Sequence, residues 1–89
     1  MTDWDVAWTP TATRSLARLP EKAASAALEF AYGPLAENPQ RVGKPLRFEL
    51  EGLHAARRGD YRVIYEIEVD ARRVVIHVIE HRASAYRRR

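Results

Sequence analysis

Apolar and polar residues alternate near the start of the chain and again over its second half. The stretch DWDVAW (residues 3–8) has a period of two, which predicts a short, half-buried strand. Thr9 and Pro10 follow, a hydroxyl suited to cap a helix and a proline suited to its first turn. The pattern therefore predicts a first strand that leads directly into a helix.

Two helices are predicted between residues 10 and 39. Pro20 ends the first helix and opens the second, and Asn38-Pro39 stops the second. Gly33-Pro34 predicts a kink or fraying near that end. The apolar residues of the second helix recur at helical spacing and form one stripe, made of Ala24, Leu28, Ala31 and Leu35. The two helices should form a hairpin that lays this stripe on another element.

Four more strands are predicted after the helices, at residues 46–50, 53–58, 61–69 and 74–80. The order β-α-α-β-β-β-β predicts an α+β fold, in which the helical hairpin covers one face of a small antiparallel sheet. The opposite face should stay partly uncovered, and alternation places Arg62, Ile64, Glu66 and Glu68 on it. Residues 81–89 are expected to form a short helical turn or an arm.

The length of 89 residues predicts one domain over residues 1–89. The chain has no cysteine, which removes disulfides and thiolate metal sites. It also lacks an apolar run of membrane length and the pattern of a signal peptide. These features predict a cytoplasmic protein without a membrane partner.

The net charge of +3 is unevenly distributed along the chain. Residues 1–40 carry three basic and five acidic side chains, whereas residues 41–89 carry twelve basic and seven acidic ones. Eleven of those twelve are arginine, whose planar fork suits bidentate contacts with phosphate. The second half therefore favours a nucleic acid or an acidic protein as partner, with a merely solvated surface as the alternative.

Candidate chemistry gathers at Arg62, His81, Arg82 and Tyr86. The strands before and after the 70–73 connection should pair as a hairpin, which brings Arg62 near His81 and Arg82. Guanidinium groups, an imidazole and a phenol can bind a phosphodiester, stabilise its transition state and transfer protons without a metal. RNA supplies its own nucleophile, so the predicted reaction is attack of a 2′-hydroxyl on the adjacent phosphate.

Structural roles are the alternative for several of these residues. Arg62 could pair with Glu66 or Glu68 across the sheet, and His77 is expected to be a packed strand residue. Tyr61 and Tyr65 lie on the predicted core face. No Cys, His or Asp cluster has the spacing of metal ligands, so neither a metal site nor a cofactor is predicted.

The runs KPLRFELEG, ARRGDYRVIYEI and VVIHVIEHRASAYRR resemble the RelE toxins of bacterial type II toxin–antitoxin systems, in the RelE/ParE superfamily. The resemblance covers nearly the whole chain, and its more specific parts are GDYRVIY and HR-x-x-x-Y. It implies a ribosome-dependent mRNA interferase, an endoribonuclease that cuts translated message and is held in check by a cognate antitoxin. Operator DNA would be bound only through that antitoxin.

The resemblance also implies residue roles. Arg62, Arg82 and Tyr86 match the family's catalytic arginines and tyrosine. Apart from the resemblance, His81 is the candidate to substitute as base or acid, with Tyr86 assisting. Lys44, Arg47, Arg57 and Arg58 correspond to basic residues that contact RNA.

The chain departs from the family pattern on its third strand, where Leu53 and Ala55 stand at positions that carry lysines in well-known relatives. It also lacks a glutamate before the second strand, which serves a related branch as general base. Two alternatives therefore stay open: a ParE-like poison of DNA gyrase, and a catalytically weak toxin that acts mainly as antitoxin partner and operon corepressor.

Overall fold

The computed structural model of the protein describes residues 3–81, which fold into helices on one side of a mixed sheet. The strands are β1 (Asp5–Trp8), β2 (Lys44–Pro45), β3 (Leu53–Arg58), β4 (Tyr61–Glu68) and β5 (Arg73–His81). The helices are α1 (Pro10–Ala17), α2 (Glu21–Phe30) and α3 (Pro39–Val42), with a π-helical turn at Ala31–Leu35 and a 3-10 turn at Phe48–Leu50. The predicted α+β class is confirmed. The predicted C-terminal turn or arm lies outside the described residues.

The strand order in the sheet is β1-β5-β4-β3-β2. β2 to β5 pair antiparallel, as predicted, but β1 joins the sheet parallel to β5, from Asp5 opposite Arg73 to Trp8 opposite Ile76. The helices carry the chain from β1 at one edge of the sheet to β2 at the other edge, and the antiparallel strands β2 to β5 then return it beside β1 in the parallel orientation. β5 is therefore an inner strand, in agreement with its nearly continuous apolar run.

The start of α1 is built as the sequence predicts. The Thr9 side chain accepts a hydrogen bond from the Ala12 amide at 3.0 Å, and Pro10 occupies the first turn. One turn later, the buried Ser15 hydroxyl accepts a hydrogen bond from the Ile79 amide at 3.0 Å. β1 ends at Trp8, opposite Ile76, so the Ile79 amide has no partner in β1 on that edge of β5. Ser15 accepts its hydrogen bond instead.

The apolar stripe predicted on α2 is partly wrong. Leu28 is 38% exposed, whereas Phe30 is 4% exposed. Burial of Phe30, the bulkiest apolar side chain of α2, turns the helix so that smaller neighbours face the sheet. The π-helical turn contains Pro34, and the extra residue in this turn still brings Leu35 back to the core. The side chains buried along this segment are those of Ala23, Ala27, Phe30, Ala31 and Leu35.

The strand predicted at residues 46–50 is also wrong. Pairing with β3 is limited to Lys44 and Pro45, followed by a single hydrogen bond of 2.8 Å from the Leu46 amide to the Leu53 carbonyl. Phe48 has a φ of 61° and is 88% exposed. A bulky residue in the left-handed region ends an extended segment, so the alternating pattern of LRFEL does not continue the sheet.

Tyr65 lies at the centre of the core, between the sheet and the helices. Its side chain is fully buried, and its hydroxyl donates a hydrogen bond of 2.6 Å to the carbonyl of Pro39. This bond ties β4 to the start of α3, and β2 follows α3 after one residue. The core cluster also includes Trp4, Phe30, Leu35, Val63, Val74, Ile76 and Ile79.

Gly43 joins α3 to β2 and leaves no room for a side chain. A Cβ atom at this position would contact the Tyr65 hydroxyl, and it would lie 2.8 Å from the carbonyl oxygen of Ala55. Gly43→Ala is therefore expected to lower the free energy of unfolding by about 1–3 kcal/mol, because a backbone oxygen cannot move aside cheaply. Urea unfolding followed by circular dichroism measures the change.

Gly33→Ala is the matched control for this substitution. No atom lies within 4 Å of a Cβ added at Gly33, which is in the π-helical turn. Alanine there should leave stability unchanged or raise it by up to about 1 kcal/mol. Equal unfolding midpoints for Gly43→Ala and the wild type would show that the β2 junction is not tightly packed.

Candidate active site

All the described helices lie on one side of the sheet, and the other side is the open face. The antiparallel register assigns side chains to the two sides, because residues directly opposite each other point the same way. Val63 and Tyr65 face the helices, and Arg62 and Glu66 face away from them. This confirms the predicted orientation of β4.

Three charged residues on adjacent strands form a row across the open face. Arg57 on β3 lies opposite Arg62 on β4, and Arg62 lies opposite Glu80 on β5. We call these residues the charged row. Like charges placed directly opposite each other destabilise a strand pair unless an anion compensates them. The Arg62 guanidinium is 2.8 Å from a Glu80 carboxylate oxygen, so one of the two arginines has a protein counter-charge.

The pairing of Arg62 differs from the one considered from the sequence. Glu66 is 3.0 Å from the His77 ring, and Glu68 is 2.8 Å from Arg73, so neither carboxylate contacts Arg62. Glu80 was missed because its role depends on the register of β5 rather than on spacing within β4. If residues are paired outward from the turn between β4 and β5, Arg62 falls opposite Ile79. A β-bulge next to Ile64 shifts the register by one residue, so that Arg62 lies opposite Glu80 instead.

The four residues predicted to contact RNA divide between the two sides of the sheet. Lys44 pairs with Ala55, which places it on the open face one row from Arg57. Arg47 is exposed in the segment after β2. Arg58 points to the helix side, where its guanidinium carbon lies 4.4 Å from the centre of the Phe30 ring. The open face therefore gathers Lys44, Arg57 and Arg62.

His81 lies close to Arg62 across the β4–β5 strand pair but on the other side of the sheet. Its backbone pairs with that of Tyr61, which confirms the predicted approach of the two strand ends. Its ring meets the Tyr61 ring edge-on at a centroid distance of 5.0 Å, and Tyr61 packs against the core. The structure thus separates the imidazole from the Arg62 guanidinium. Arg82 and Tyr86 lie outside the described residues.

The remaining histidines have packing partners. His54 stacks on Tyr65 with ring centroids 5.5 Å apart, and burial lowers the pKa of His54. His77 is half-exposed and pairs with Glu66 rather than being fully packed. Over residues 3–81, no three His, Cys, Asp or Glu side chains group closely enough to hold a metal ion. Within the same range, no helix is long and apolar enough to span a membrane.

Comparison with known proteins identifies the class of this chain. A family model described as the ParE toxin of the type II toxin–antitoxin system parDE matches residues 6–86. Toxin RelE of Mycobacterium tuberculosis is 58% identical over 84 residues, which cover 94% of this chain and 87% of that protein. Toxin RelG of the same organism is 49% identical over 85 residues and covers 96% of this chain and 98% of that protein.

Solved structures agree with these sequence matches. The toxin–antitoxin complex RelBE2 of Mycobacterium tuberculosis contains a chain that superposes with a TM-score of 0.89 at 48% identity, covering 93% of this chain and 95% of that one. The isolated Escherichia coli RelE toxin superposes with a TM-score of 0.72 at 10% identity, over 88% of this chain and 83% of that one, which shows a shared fold.

The fold and these matches define a toxin of the type II toxin–antitoxin class. Within that class, the chain belongs to the RelE toxin family, as its motifs predicted.

Proposed function

We propose that this protein is a ribosome-dependent mRNA interferase that cuts translated message by attack of the RNA 2′-hydroxyl, without a metal ion. Residues 1–89 act as one toxin domain in the cytoplasm. The ribosome and mRNA are its targets, and a cognate antitoxin neutralises it and links it to operator DNA. The roles assigned from the sequence to His81, Arg82 and Tyr86 stay predictions within this proposal.

The charged row is the observation that carries the proposal. Arg57 and Arg62 lie opposite each other on two strands of the open face, which is only partly uncovered, since Ile64 on it is 5% exposed. Glu80 supplies one carboxylate for the two cations. Among residues 3–81, no salt bridge forms with Arg57. A phosphodiester bound between the two guanidinium groups would compensate the second charge and receive forked hydrogen bonds. Lys44, one row away, extends the cationic track toward the β2 edge.

The departures at Leu53 and Ala55 are consistent with this arrangement. Both positions are on the open face, in register with Glu66 and Ile64, and neither supplies a cation. This chain instead has cations at Arg57, on the same strand as Leu53 and Ala55, and at Lys44, on the neighbouring strand β2. Both lie on the open face. Phosphate binding is therefore shifted toward the charged row rather than absent.

A cognate antitoxin is proposed from the solved relatives. The Mycobacterium tuberculosis structure with 48% identity is a toxin–antitoxin complex, as is a RelE–RelB complex from Pyrococcus horikoshii OT3 with 27% identity. Lys44 and Arg57 lie on the open face outside the ion pairs of its glutamates, as far as residues 3–81 show, so a complementary antitoxin segment would be acidic where it meets these two cations.

The test is an in vitro reaction with purified protein and ribosomes programmed with a defined message. We expect new 5′ ends within translated codons and a 2′,3′-cyclic phosphate on the upstream fragment. Cleavage should continue when EDTA lowers free Mg²⁺ to the level that just keeps ribosomes intact. Free mRNA without ribosomes should be cut far more slowly.

A ParE-like gyrase poison is the second candidate, since the matching family model is described as the ParE toxin. Intact message together with stalled gyrase and broken DNA after expression would replace the proposed function with this one. Intact message and intact DNA, with normal growth, would favour a catalytically weak corepressor.

A further inference from the structure

Glu80 differs from the other glutamates of the open face in the cation that it contacts. Glu66 is bound by His77, and Glu68 by Arg73, at the opposite end of β4 from the charged row. Glu80 instead contacts Arg62, the arginine proposed to bind the scissile phosphate. Its side chain is 14% exposed, against 41% for Glu66, so little solvent competes for its carboxylate.

We infer that Glu80 is the general base of the proposed RNA cleavage, so this inference rests on the proposed function. A general base must reach the proton that it removes, directly or through one water. Arg62 lies between Arg57 and Glu80 in the charged row, and the Glu80 carboxylate is 2.8 Å from the Arg62 guanidinium. A phosphate bound by Arg62 and Arg57 is therefore on the β3 side of that guanidinium. The ribose attached to this phosphate, when directed toward β5, would carry the attacking hydroxyl to the carboxylate directly or through one water.

The reaction then balances as a transesterification. The Glu80 carboxylate takes the proton of the 2′-hydroxyl, and the 2′-oxygen forms a bond to phosphorus. The bond from phosphorus to the 5′-oxygen breaks, and that oxygen takes a proton from water. The hydroxide left behind takes the proton from Glu80, which restores the carboxylate. The products are a 2′,3′-cyclic phosphate and a 5′-hydroxyl. Arg62 and Arg57 stabilise the extra negative charge on the phosphoryl oxygens.

The strand register favours Glu80 over His81 for this role. Successive residues of a strand point to opposite sides, and the imidazole of His81 lies against Tyr61 on the helix side. Within residues 3–81, Glu80 contacts the Arg62 guanidinium on β4, and Arg57 lies one strand further on β3. On its other edge, β5 meets the neutral Ser15 of α1 next to this position.

The experiment measures single-turnover cleavage of ribosome-bound message from pH 6 to 9 for the wild type and Glu80→Gln. We expect Glu80→Gln to lower the rate at pH 7 by about 100-fold or more, the scale typical of a general base. The wild-type rate should be nearly independent of pH over this range. The variant rate should rise tenfold per pH unit, because hydroxide must replace the missing base.

Two further variants separate the chemical role of Glu80 from a structural one. Glu80→Asp keeps a carboxylate and should retain a flat pH profile at a reduced rate. Glu66→Gln removes a carboxylate from the same face and should cleave at a rate close to that of the wild type. If Glu80 only positions Arg62, Glu80→Gln will be slower by the same factor at every pH, and the assignment of a general base is overturned.

Other outcomes distinguish this inference from the proposed function. Wild-type cleavage to a cyclic phosphate, together with an unchanged rate and profile in Glu80→Gln, would overturn the role of Glu80 and leave the proposed function standing. A rising profile in His81→Ala but not in Glu80→Gln would assign the base to His81. Absence of wild-type cleavage on ribosomes would overturn both.

Discussion

Arg62→Ala is expected to lower the rate of message cleavage at least about 100-fold, because the lost guanidinium is a preorganised donor to the transition-state phosphate. Growth inhibition should disappear on expression, while the cognate antitoxin still co-purifies with the variant. Arg62→Lys keeps the charge but loses the planar fork, so it should recover only part of the rate. Single-turnover cleavage on programmed ribosomes gives the rates, and thermal unfolding confirms that each variant is folded.

Arg73→Ala is the matched control for Arg62→Ala. Like Arg62, Arg73 forms a salt bridge with a glutamate on the neighbouring strand, at 2.8 Å from Glu68. The Arg73 side chain is 45% exposed, and that of Arg62 is 43% exposed. It lies at the far end of the sheet from the charged row, so its loss should leave cleavage nearly unchanged. A fully toxic Arg62→Ala variant, or equal losses in the two variants, would show that Arg62 does not act on the phosphate.

Tyr65→Ala is expected to destabilise the fold by about 3–5 kcal/mol, because it removes a large, fully buried aromatic side chain. Tyr65→Phe keeps the ring and should cost about 1–2 kcal/mol, since it leaves the buried Pro39 carbonyl without its hydrogen bond. Urea unfolding at neutral pH measures both. Tyr32→Phe is the control, because Tyr32 is 55% exposed and should tolerate the change.

The same tyrosine predicts a loss of stability at high pH. Burial raises the pKa of Tyr65 from 10.0 to about 12, so the unfolded chain releases this proton at a lower pH than the folded protein does. Ionisation therefore favours the unfolded state as the pH rises from 10 to 12, by about 2 kcal/mol at the upper end. The stability difference between the wild type and Tyr65→Phe should shrink by that amount. A constant difference across this range would mean that the hydroxyl ionises freely in the fold.

The elements that the sequence predicted well are those fixed by local signals. The cap at Thr9, the break between the strands predicted at residues 53–58 and 61–69, and the alternation of β4 each depend on neighbouring residues alone. The strand at residues 46–50 failed because five alternating residues look like a strand whether or not a partner is available. Here Phe48 takes a left-handed conformation, and only Lys44 and Pro45 pair.

The candidate site was only partly predictable for a related reason. Arg62 could be found from its position on the polar side of an apolar strand. Alternation along that strand also predicted that its side chain faces away from the helices. Its partner Glu80 depends on a bulged register, which no local pattern reports. The side of His81 depends on the same bulge, because an unbulged register would place Glu80, not His81, opposite Tyr61.

The parallel pairing of β1 with β5 has a consequence for the synthesis of this toxin. The hydroxyl of Thr9, just after β1, donates a hydrogen bond to the carbonyl of His77, which is 68 positions later in the chain. The first strand must therefore wait, unpaired, until β5 has left the ribosome. Contacts of such long range slow folding, because a large loop must close before they form. Arg62 and Glu80 also meet only once β5 is available, so a nascent toxin has no assembled charged row before that point.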